Sequence, residues 1–511
     1  MEAAMAAKRI AMVCMAAAAL LVSLGVGADE AAPTAAASSK ELQRGFSVAH
    51  DTSYSQFQPV LSDPTGVFAL GFLRINSTML DLAVLHLPSA FPLWRAIPDR
   101  PAPWSAAASL SFNGSLVLTD RATNQVLWST GAAAGDSAVL LNTSNLQIKS
   151  DASPSVVWQS FDYPSDTIVQ HQNLTSSAAL RTPDRRFAMR LGSNYFGLYI
   201  EPPPQSSGGV AAAMYLKHTA LEAKAQIVTG GGPIYARVEP DGYLAMYQKE
   251  GDPADVMSFD TFNHAIRAFR RMTLEPDANL RAYYWDGSRW VLDYTAITDS
   301  CELPTTCGAY SVCVPPSGRC ACLANATDGS GCAAAPVGNG LCGTTGREVG
   351  GLYWELRKQG VEPANKEQLG FEHALSAEDC EARCARNCNC WGAVYSNSTG
   401  YCYLMDYPAQ LMVAADERKV GYFKVRSMEE AAERGGRATG VTVALLVVGV
   451  AVLVAAAAFG AYRVWDRRRR TEAETRRQLG ADGDGLSPGP YKNLGSFSSV
   501  ELSSSFNSFR R

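Results

Sequence analysis

Thirteen cysteines are the residues of this 511-residue chain whose type and spacing most clearly predict a chemistry. Cys14 lies in an apolar segment near the start, which leaves 12, all between Cys301 and Cys402. An even number of cysteines in so short a region is typical of disulfide bonding in an oxidising compartment, because cross-links there replace the core that a short segment cannot bury. The sequence therefore predicts a disulfide-rich region preceded by a cysteine-free region with its own core.

The cysteines form two groups of six. In the second group Ser376 is a predicted N-cap, and Cys380, Cys384 and Cys388 recur every four residues, which places them on one face of a helix. Sequence alone leaves open the 15 pairings that each group of six allows. A zinc site at Cys384, Cys388 and Cys390 is the alternative, which an oxidising compartment disfavours. The groups are Cys301, Cys307, Cys313, Cys320, Cys322 and Cys332, then Cys342, Cys380, Cys384, Cys388, Cys390 and Cys402.

No constellation of residues typical of catalysis occurs in the sequence. The six histidines are scattered, and there is no Gly-x-Ser-x-Gly, His-Glu-x-x-His or P-loop motif. The net charge is -4, and 18% of the residues are charged. Outside the stretch near residue 467, the sequence has no basic stripe that could bind a nucleic acid. We therefore predict a protein that is not an enzyme, with no metal, no cofactor and no nucleic-acid partner.

Two apolar stretches predict how the chain meets a membrane. Lys8 and Arg9 precede an apolar run at 11–26, and small residues follow it, which is typical of a signal peptide at 1–28. Residues 438–462 carry no charge, and at about 1.5 Å per residue such a helix crosses a hydrocarbon core of roughly 30 Å. The alternative for the first stretch is an uncleaved membrane anchor. The alternative for the second stretch is a buried helix of a soluble domain.

The charges that follow residue 462 predict the orientation. Arg463 and the arginines at 467–470 should stay in the cytosol, so we expect a single-pass type I protein of the plasma membrane with its N-terminus extracellular. The remaining cytoplasmic tail at 463–511 is polar and rich in Gly and Ser, which predicts disorder. Its Ser-rich end leaves open whether it is a phosphorylatable docking peptide or an unregulated tail.

The cysteine-free region has the pattern of β-structure. Short runs of aromatic and β-branched residues alternate with turn residues every 8 to 12 positions or so, which is typical of a barrel, prism or sandwich. An internal repeat, Val238–Leu244 and Leu274–Leu280, marks a second β module in which a turn feeds a strand in both copies. The sequence therefore predicts one β domain at 45–172 and a second at 182–296.

Residues 157–167, VWQSFDYPSDT, resemble the signature that closes the bulb-type lectin domain of plant S-locus glycoproteins and S-domain (G-type lectin) receptor-like kinases. The cysteine groups that follow resemble the EGF-like and PAN/apple modules of that family, and the resemblance covers about residues 45–462. It implies a multidomain, mainly β protein. Its parts are a bulb-lectin-type β-prism, a second lectin-like β module, an EGF-like module at 301–332, an α+β PAN/apple module at 342–426 and one transmembrane helix.

The resemblance also implies the disulfide pairing and a role at the cell surface. We expect a receptor-like protein that recognises an extracellular ligand or a partner receptor kinase as co-receptor or decoy, and that forms a homo- or hetero-dimer through the PAN module. The tail carries none of the kinase motifs of the family. A membrane-tethered lectin that binds cell-wall or glycoprotein glycans is the alternative. The implied pairs are Cys301–Cys313, Cys307–Cys320, Cys322–Cys332, Cys380–Cys402 and Cys384–Cys390, which leaves Cys342 for Cys388.

Related mannose-binding lectins carry Gln-x-Asp-x-Asn-x-Val-x-Tyr at each sugar site, where amides and a carboxylate bind vicinal hydroxyls. The nearest match is in the second module, where Asp277, Asn279 and Tyr283 are possible carbohydrate-binding residues. A β-turn followed by a packed aromatic residue is the alternative. In the first module only Val117 and Asn145 match, which predicts a scaffold that lacks mannose sites.

Six glycosylation sequons precede the predicted membrane helix and none follows it, in agreement with the predicted orientation. A glycan on the sequon at Asn113 would occupy the place of a sugar ligand in the first module. The predicted glycosylation sites are Asn76, Asn113, Asn142, Asn173, Asn325 and Asn397.

Overall fold

The computed structural model describes residues 39–131, 134–201, 212–220, 233–323, 332, 354–407, 409–425 and 450–470. The predicted signal peptide, residues 438–449 of the predicted membrane helix and the predicted tail from residue 471 onward lie outside these residues. The chain forms two compact units, Met1–Met428 and Glu429–Arg511. Strands dominate the described part of the first unit, so the chain is mainly β, as predicted.

The first β module consists of three sheets that enclose one hydrophobic core. Its strands are β1 (Glu41–Gln43), β2 (Phe46–Ala49), β3 (Phe57–Ser62), β4 (Phe68–Arg74), β5 (Met79–His86), β6 (Phe91–Arg95), β7 (Ala102–Pro103), β8 (Ala108–Phe112), β9 (Leu116–Asp120), β10 (Gln125–Ser129), β11 (Ser137–Leu140), β12 (Leu146–Ser150) and β13 (Ser153–Gln159). The sheet orders are β1-β11-β12-β13, β10-β9-β8-β2 and β3-β4-β5-β6, with β7 beside β5. The single core forms because alternate side chains along each strand point towards it. In β9, Leu116 and Leu118 are buried, whereas the residues between and after them are half-buried.

The second β module repeats this plan with three four-stranded sheets around a second core. Its strands are β14 (Thr167–Val169), β15 (Asn173–Leu174), β16 (Ala179–Arg181), β17 (Phe187–Leu191), β18 (Tyr195–Ile200), β19 (Ala213–Thr219), β20 (Tyr235–Glu239), β21 (Tyr243–Tyr247), β22 (Asp255–Ser258), β23 (Arg270–Leu274), β24 (Leu280–Trp285) and β25 (Trp290–Thr295). The sheet orders are β14-β23-β24-β25, β15-β20-β21-β22 and β16-β17-β18-β19. The predicted internal repeat forms two hairpins, β20–β21 and β23–β24.

The two β modules share one topology. In each module, three short consecutive strands come first and three three-stranded meanders follow. The first opening strand pairs with the last meander. The second opening strand pairs with the middle meander, and the third opening strand pairs with the first meander. Because β14 and β15 pair with β23 and β20, the second module starts at Thr167 and the first ends at Gln159. The structure therefore corrects the predicted limits of 172 and 182: the opening strands of the second module are too short to show an alternating pattern.

An aromatic cluster joins the two β modules. The ring of His86, in β5, lies edge-on to Trp285 at 5.0 Å between centroids and stacks with Phe269 at 5.8 Å. Nδ1 of His86 lies 2.8 Å from Oγ of Ser89, which also accepts a hydrogen bond of 2.9 Å from Nε1 of Trp290. Burial lowers the pKa of His86 from 6.5 to about 4. Since His86 and Ser89 belong to the first module and the three other rings to the second, this contact holds the modules together.

The disulfide-rich region consists of two sheets and a helix. Its elements are β26 (Ser311–Val314), β27 (Arg319–Cys322), β28 (Trp354–Gln359), β29 (Val361–Pro363), β30 (Phe371–His373), α1 (Ala377–Arg386), β31 (Gly392–Ser396), β32 (Tyr401–Met405), β33 (Leu411–Val413) and β34 (Lys419–Val425). One sheet has the order β27-β26-β33-β29 and the other β28-β34-β31-β32-β30. In the first sheet β26 and β33 run parallel, so the hairpin of the predicted EGF-like module and strands of the predicted PAN module are hydrogen-bonded to each other.

A shared core also connects these two predicted modules. Tyr310 packs edge-on against Trp391 with 5.2 Å between ring centroids, and Phe423 packs against the same indole, also at 5.2 Å. The buried amide of Gln410 accepts a hydrogen bond of 2.6 Å from the backbone of Cys307 and donates one of 2.7 Å to the backbone of Cys301. The separate modules predicted at 301–332 and 342–426 are therefore packed as one body, because neither cysteine-rich segment buries these rings alone.

Helix α1 is capped at both ends. The side chain of Ser376 accepts a hydrogen bond from the backbone of Asp379, as the N-cap prediction requires. At the other end the buried ammonium group of Lys424, in β34, donates to the carbonyl groups of Cys384 and Asn387, each at 2.9 Å. A cation at the C-terminus complements the helix dipole, although burial lowers the pKa of Lys424.

Five described disulfide bonds join the partners that the resemblance implies. Cys388 is disulfide-bonded as well, and Cys342, the partner implied for it, lies outside the described residues. The helix is fastened to β32 through Cys380 and Cys402, with 5.6 Å between the Cα atoms. The five bonds are Cys301–Cys313, Cys307–Cys320, Cys322–Cys332, Cys380–Cys402 and Cys384–Cys390.

The described part of the second unit is a helix at residues 450–470. Residues 450–462 belong to the predicted membrane helix, whereas 463–470 were assigned to a disordered tail and are helical instead, with Arg470 paired to Asp466 at 3.0 Å. Among the residues that the structure describes, no helix combines the length and the apolar character needed to cross a membrane.

The joint between the β modules should weaken in acid. His86 has a pKa of about 4 in the folded chain and the ordinary value of 6.5 when unfolded, so between these values only the unfolded chain takes up a proton. Stability is therefore fully present above pH 6.5 and is lost as the pH falls towards 4. We expect the variant His86→Gln to show a smaller fall in Tm than the parent between pH 7 and 4.5 in differential scanning calorimetry. An equal fall in both proteins would show that other groups govern the acid response.

A buried ion pair in the second β module should contribute more to stability than an exposed one. Arg270 and Asp293 are both fully buried, and Asp293 also accepts hydrogen bonds of 2.9 and 2.7 Å from Thr261. Asp293→Asn leaves a buried guanidinium without its counter-ion, and we expect a loss of about 3–5 kcal/mol in urea unfolding. The matched control Asp416→Asn removes a pair with the exposed Arg418 and should leave the midpoint of urea unfolding close to that of the parent. Similar losses for the two variants would contradict this assignment.

Candidate functional site

The predicted sugar residue Asp277 is bound within its own hairpin. Its carboxylate accepts hydrogen bonds of 2.9 and 2.6 Å from the guanidinium of Arg281 and one of 3.1 Å from the backbone of Asn279. Burial alone would raise the pKa of Asp277, but the hydrogen bonds from Arg281 and the backbone lower it below its ordinary value. A saccharide hydroxyl would therefore have to displace Arg281 to reach this carboxylate.

The two other predicted residues are also engaged inside the chain. Asn279 is buried, and its amide donates to the carbonyl of Ile297 at 2.7 Å and accepts from the backbone of Ile297 at 3.1 Å. The hydroxyl of Tyr283 donates to Glu275 at 2.9 Å, and burial together with this carboxylate raises the pKa of Tyr283 to about 12. These contacts favour the alternative interpretation of a turn followed by a packed aromatic residue.

A second cluster of the same kind lies on the neighbouring sheet, in the other copy of the predicted internal repeat. Tyr247 donates to Glu239 at 2.7 Å, and the guanidinium of Arg237 both bonds Glu239 at 2.6 Å and lies 4.7 Å from the centre of the Tyr247 ring. Glu239 and Tyr247 occupy the positions that Glu275 and Tyr283 hold in the other repeat. The carboxylate of each repeat thus binds the chain's own tyrosine.

In the first β module the residues that match the mannose pattern are likewise occupied. The buried amide of Asn145 donates to Gln159 at 2.8 Å and accepts from the hydroxyl of Ser160 at 3.3 Å. Asn113 is exposed at the tip of a turn, so it is open to glycosylation. That the first module lacks mannose sites stays a prediction.

The predicted glycosylation sites lie on accessible turns and strand ends. Five of the six sequon asparagines are exposed, and Asn325 lies outside the described residues. The amide of Asn397 donates to the carbonyl of Arg418 at 2.7 Å. The five exposed residues are Asn76, Asn113, Asn142, Asn173 and Asn397.

A cleft suited in size to a ligand lies where the β modules meet. We call it the inter-module cleft. Its volume is about 410 Å³, within the usual range for ligand sites. It is lined by Trp94, Arg95, Ala96, Pro98, Asp99, Trp128, Ser129, Thr130, Gly131, Trp158, Tyr163, Pro164, Ser165, Ala179, Arg181, Thr182 and Arg185.

One tryptophan from each sheet of the first module forms the floor of the inter-module cleft. Trp94, Trp128 and Trp158 pack edge to face, with ring centroids 5.6–6.1 Å apart. Tyr163 stacks flat on Trp158 at 5.7 Å, and its backbone carbonyl accepts a hydrogen bond of 2.8 Å from Nε1 of Trp94. Tyr163 therefore stands between the modules with one ring face on the floor, and its side chain is 59% exposed.

Charged side chains form the rim of the inter-module cleft. Arg95 is paired with the buried Asp81 at 2.9 Å, and Arg185 of the second module is paired with Asp99 of the first at 2.9 Å. Arg181 is exposed and makes no ion pair within the described part of the chain. Trp158 and Tyr163 belong to the signature at 157–167 that the sequence singled out, whereas no sequence signal pointed to residues 94–99 and 179–185.

No metal centre is found in the described ranges, since no group of three or more His, Cys, Asp or Glu side chains there could hold an ion. The proposed alternative of a zinc site at Cys384, Cys388 and Cys390 is excluded by the disulfide bonds of all three residues.

Three family models match successive parts of the chain. The first, described as D-mannose binding lectin, covers residues 93–188. The second, the S-locus glycoprotein domain, covers residues 240–326, and the third, the PAN domain, covers residues 364–425. Their order is the order that the resemblance predicts.

Plant proteins are similar to the chain over most of its length. The PAN domain-containing protein At5g03700 of Arabidopsis thaliana is 43% identical over 91% of this chain and 92% of its own length. Two G-type lectin S-receptor-like serine/threonine-protein kinases of the same plant, At1g11280 and SD1-29, are 25% and 26% identical, and the chain spans about half their length, 51% and 46%. Among solved structures, a two-domain fetuin-binding agglutinin of Scilla campanulata aligns with 48% of this chain at 16% identity and a TM-score of 0.19.

Asn279 should matter for stability rather than for sugar binding. Replacing its buried amide in Asn279→Ala leaves both backbone groups of Ile297 without a partner, and we expect a loss of about 1–3 kcal/mol in thermal unfolding. The control Asn113→Ala removes an exposed amide and should leave the unfolding free energy within about 0.5 kcal/mol of the parent. A stable Asn279→Ala protein that had lost binding to immobilised mannose would restore the sugar-site interpretation.

Proposed function

Because the chain belongs to the plant S-domain family of S-locus glycoproteins and G-type lectin receptor-like proteins, we propose that it is a receptor-like protein of the cell surface without a kinase. In this proposal it recognises an extracellular ligand or a partner receptor kinase, as co-receptor or decoy. The combination of lectin and PAN domains supports a binding role.

The sequence supports anchoring of this protein in the plasma membrane. Residues 1–28 would direct secretion, and residues 438–462 would cross the bilayer with Arg463 on the cytosolic side. Residues 450–462 are helical, which suits a spanning segment because a helix satisfies its own backbone polar groups in lipid. The extracellular part would then contain all the disulfide bonds and all the glycosylation sites.

One observation supports a partner-recognition role. The residues that a lectin of this family would offer to mannose are hydrogen-bonded or ion-paired within this chain. Asp277 is paired with Arg281, and the amides of Asn145 and Asn279 are buried in hydrogen bonds of the chain. A protein that bound mannose at these sites would first have to break contacts that stabilise its own hairpins. This favours the co-receptor or decoy over the tethered lectin.

The PAN module offers an apolar surface for such a partner. At the edge strand β30, Phe371 is 50% exposed and stacks on Tyr401 with 4.0 Å between ring centroids. Leu375, which follows this strand, is 96% exposed. An exposed apolar patch beside an open strand edge is typical of an interaction surface, so this patch is the proposed contact with a receptor kinase or a second copy of the chain.

The second candidate function is a membrane-tethered lectin that binds cell-wall or glycoprotein glycans. The observation that favours it is the inter-module cleft, which has the size, the aromatic floor and the polar rim of a ligand site. The two roles are compatible, because the cleft and the PAN patch involve different residues.

Chemical cross-linking on intact plant cells tests the partner role. We expect the full chain to co-precipitate an S-domain receptor kinase, identified by mass spectrometry, and the variant Phe371→Ser to recover less than a third of that amount. The reason is the loss of an exposed aromatic contact from the PAN patch. The matched control Leu292→Ser changes a similarly exposed apolar residue, 50%, in the second β module and should recover the parent amount.

Two results would contradict the proposal. One is the absence of any receptor kinase from the cross-linked material. The other is protection of residues 39–425 from a protease added to intact cells while the C-terminal tail is digested, since this would place the lectin and PAN modules inside the cell.

A further inference from the structure

The inter-module cleft combines an aromatic platform with an excess of positive charge. Three arginines and one aspartate are the charged residues of its lining: Arg95, Arg181, Arg185 and Asp99. Arg95 is neutralised by Asp81 beneath it and Arg185 by Asp99. Arg181 is the arginine of the lining that keeps an uncompensated charge among the described residues, and it is exposed at the edge of β16.

The aromatic side of the cleft suits a sugar ring. Tyr163 is held by the stacking on Trp158 and by the hydrogen bond from Trp94 to its carbonyl, so its position is fixed before any ligand arrives. An exposed, immobile aromatic ring presents an apolar face on which the C–H face of a pyranose can lie, at little conformational cost. Ser129 and Thr130 line the same cleft; their hydroxyl oxygens accept hydrogen bonds from the backbone of Gly131 and Leu116, and each hydroxyl proton remains to be donated to a ring substituent.

The charged side of the cleft suits a carboxylate. A guanidinium binds a carboxylate through two parallel hydrogen bonds, and Arg181 has its donors free for this. Arg185 adds a second guanidinium nearby, shared with Asp99. A neutral sugar would leave the positive charge of Arg181 without a counter-charge. The apolar chain of a lipid would have to lie against the polar residues at 129–131 and 181–185.

On these grounds we propose that the inter-module cleft binds a carboxylate-bearing saccharide, a uronate oligomer, with one pyranose ring on Tyr163 and a carboxylate on Arg181. The proposal rests on the recognition role argued above and names one ligand class for it. The cleft is distinct from the mannose-pattern hairpins, whose polar groups bind the chain itself.

Titration calorimetry of the full chain in detergent micelles tests the proposal with tetragalacturonate as the probe. The neutral β-1,4-galactotetraose and the peptide tetraglutamate are the comparison ligands. We expect tetragalacturonate to bind at least tenfold more tightly than either, and its affinity to fall when NaCl is raised from 50 to 500 mM, because the Arg181 contact is exposed to screening. Equal or tighter binding of the neutral tetramer or of the peptide overturns the proposal.

Three variants test the cleft residues. Arg181→Gln should weaken tetragalacturonate binding at least tenfold and Tyr163→Ala at least fivefold, whereas the control Arg319→Gln, which removes an exposed arginine of β27, should bind as the parent does. Arg181 and Tyr163 are exposed, so both variants should keep the parent Tm, which calorimetry checks. Unchanged affinity in a folded Arg181→Gln protein overturns the proposal.

The same proteins separate this proposal from the proposed function. A chain that captures a receptor kinase but does not bind tetragalacturonate refutes the cleft assignment alone. A chain that binds tetragalacturonate through Arg181 but captures no kinase supports the cleft assignment and refutes the co-receptor role.

Discussion

The packing of aromatic rings across the joint between the β modules is the contact on which the candidate site depends. His86 and Ser89 of the first module meet Phe269, Trp285 and Trp290 of the second, so rings of the second module pack against the core of the first. Each module alone would offer only part of the cleft wall, since the tryptophan floor belongs to the first module and Arg181 to the second. A shift of one module relative to the other would therefore change the ligand site before it changed either core.

The polar residues of the two β modules show how a lectin scaffold can lose one kind of site while it keeps its fold. Asn279 and Asn145 hold turns together through their amides, and Asp277 is neutralised by Arg281 on the same hairpin. These contacts stabilise the hairpins because each buried polar group has a partner. The residue types of a sugar site are thus compatible with a purely structural role, and only the contacts distinguish the two.

Local features were predictable from the sequence, and features that join distant segments were not. Ser376 and the spacing of Cys380 and Cys384 predicted helix α1, because short-range patterns determine a helix. The helix ends at Arg386, so Cys388, which was expected on the same helical face, lies beyond it. The aromatic signature at 157–167 placed the bulb-lectin module in the same short-range way. The limits of the second module were missed, since strands such as β15 have two residues and show no alternation. The inter-module cleft was missed because Trp94, Trp158 and Arg181 are far apart in sequence and only the packing of two modules brings them together. The burial of Asn279 was equally invisible, because an Asp-x-Asn turn has the same sequence whether it faces a ligand or the core.

The position of β34 within its sheet has a mechanical consequence. This last strand before residue 426 is hydrogen-bonded on both sides, to β28 and to β31, and its Lys424 also holds the end of α1. A pull on the C-terminal end of β34 would act along the strand and load two rows of backbone hydrogen bonds at once, in shear, rather than peel them one at a time. The strand nearest the C-terminal segment would therefore resist such a pull with both rows of hydrogen bonds together.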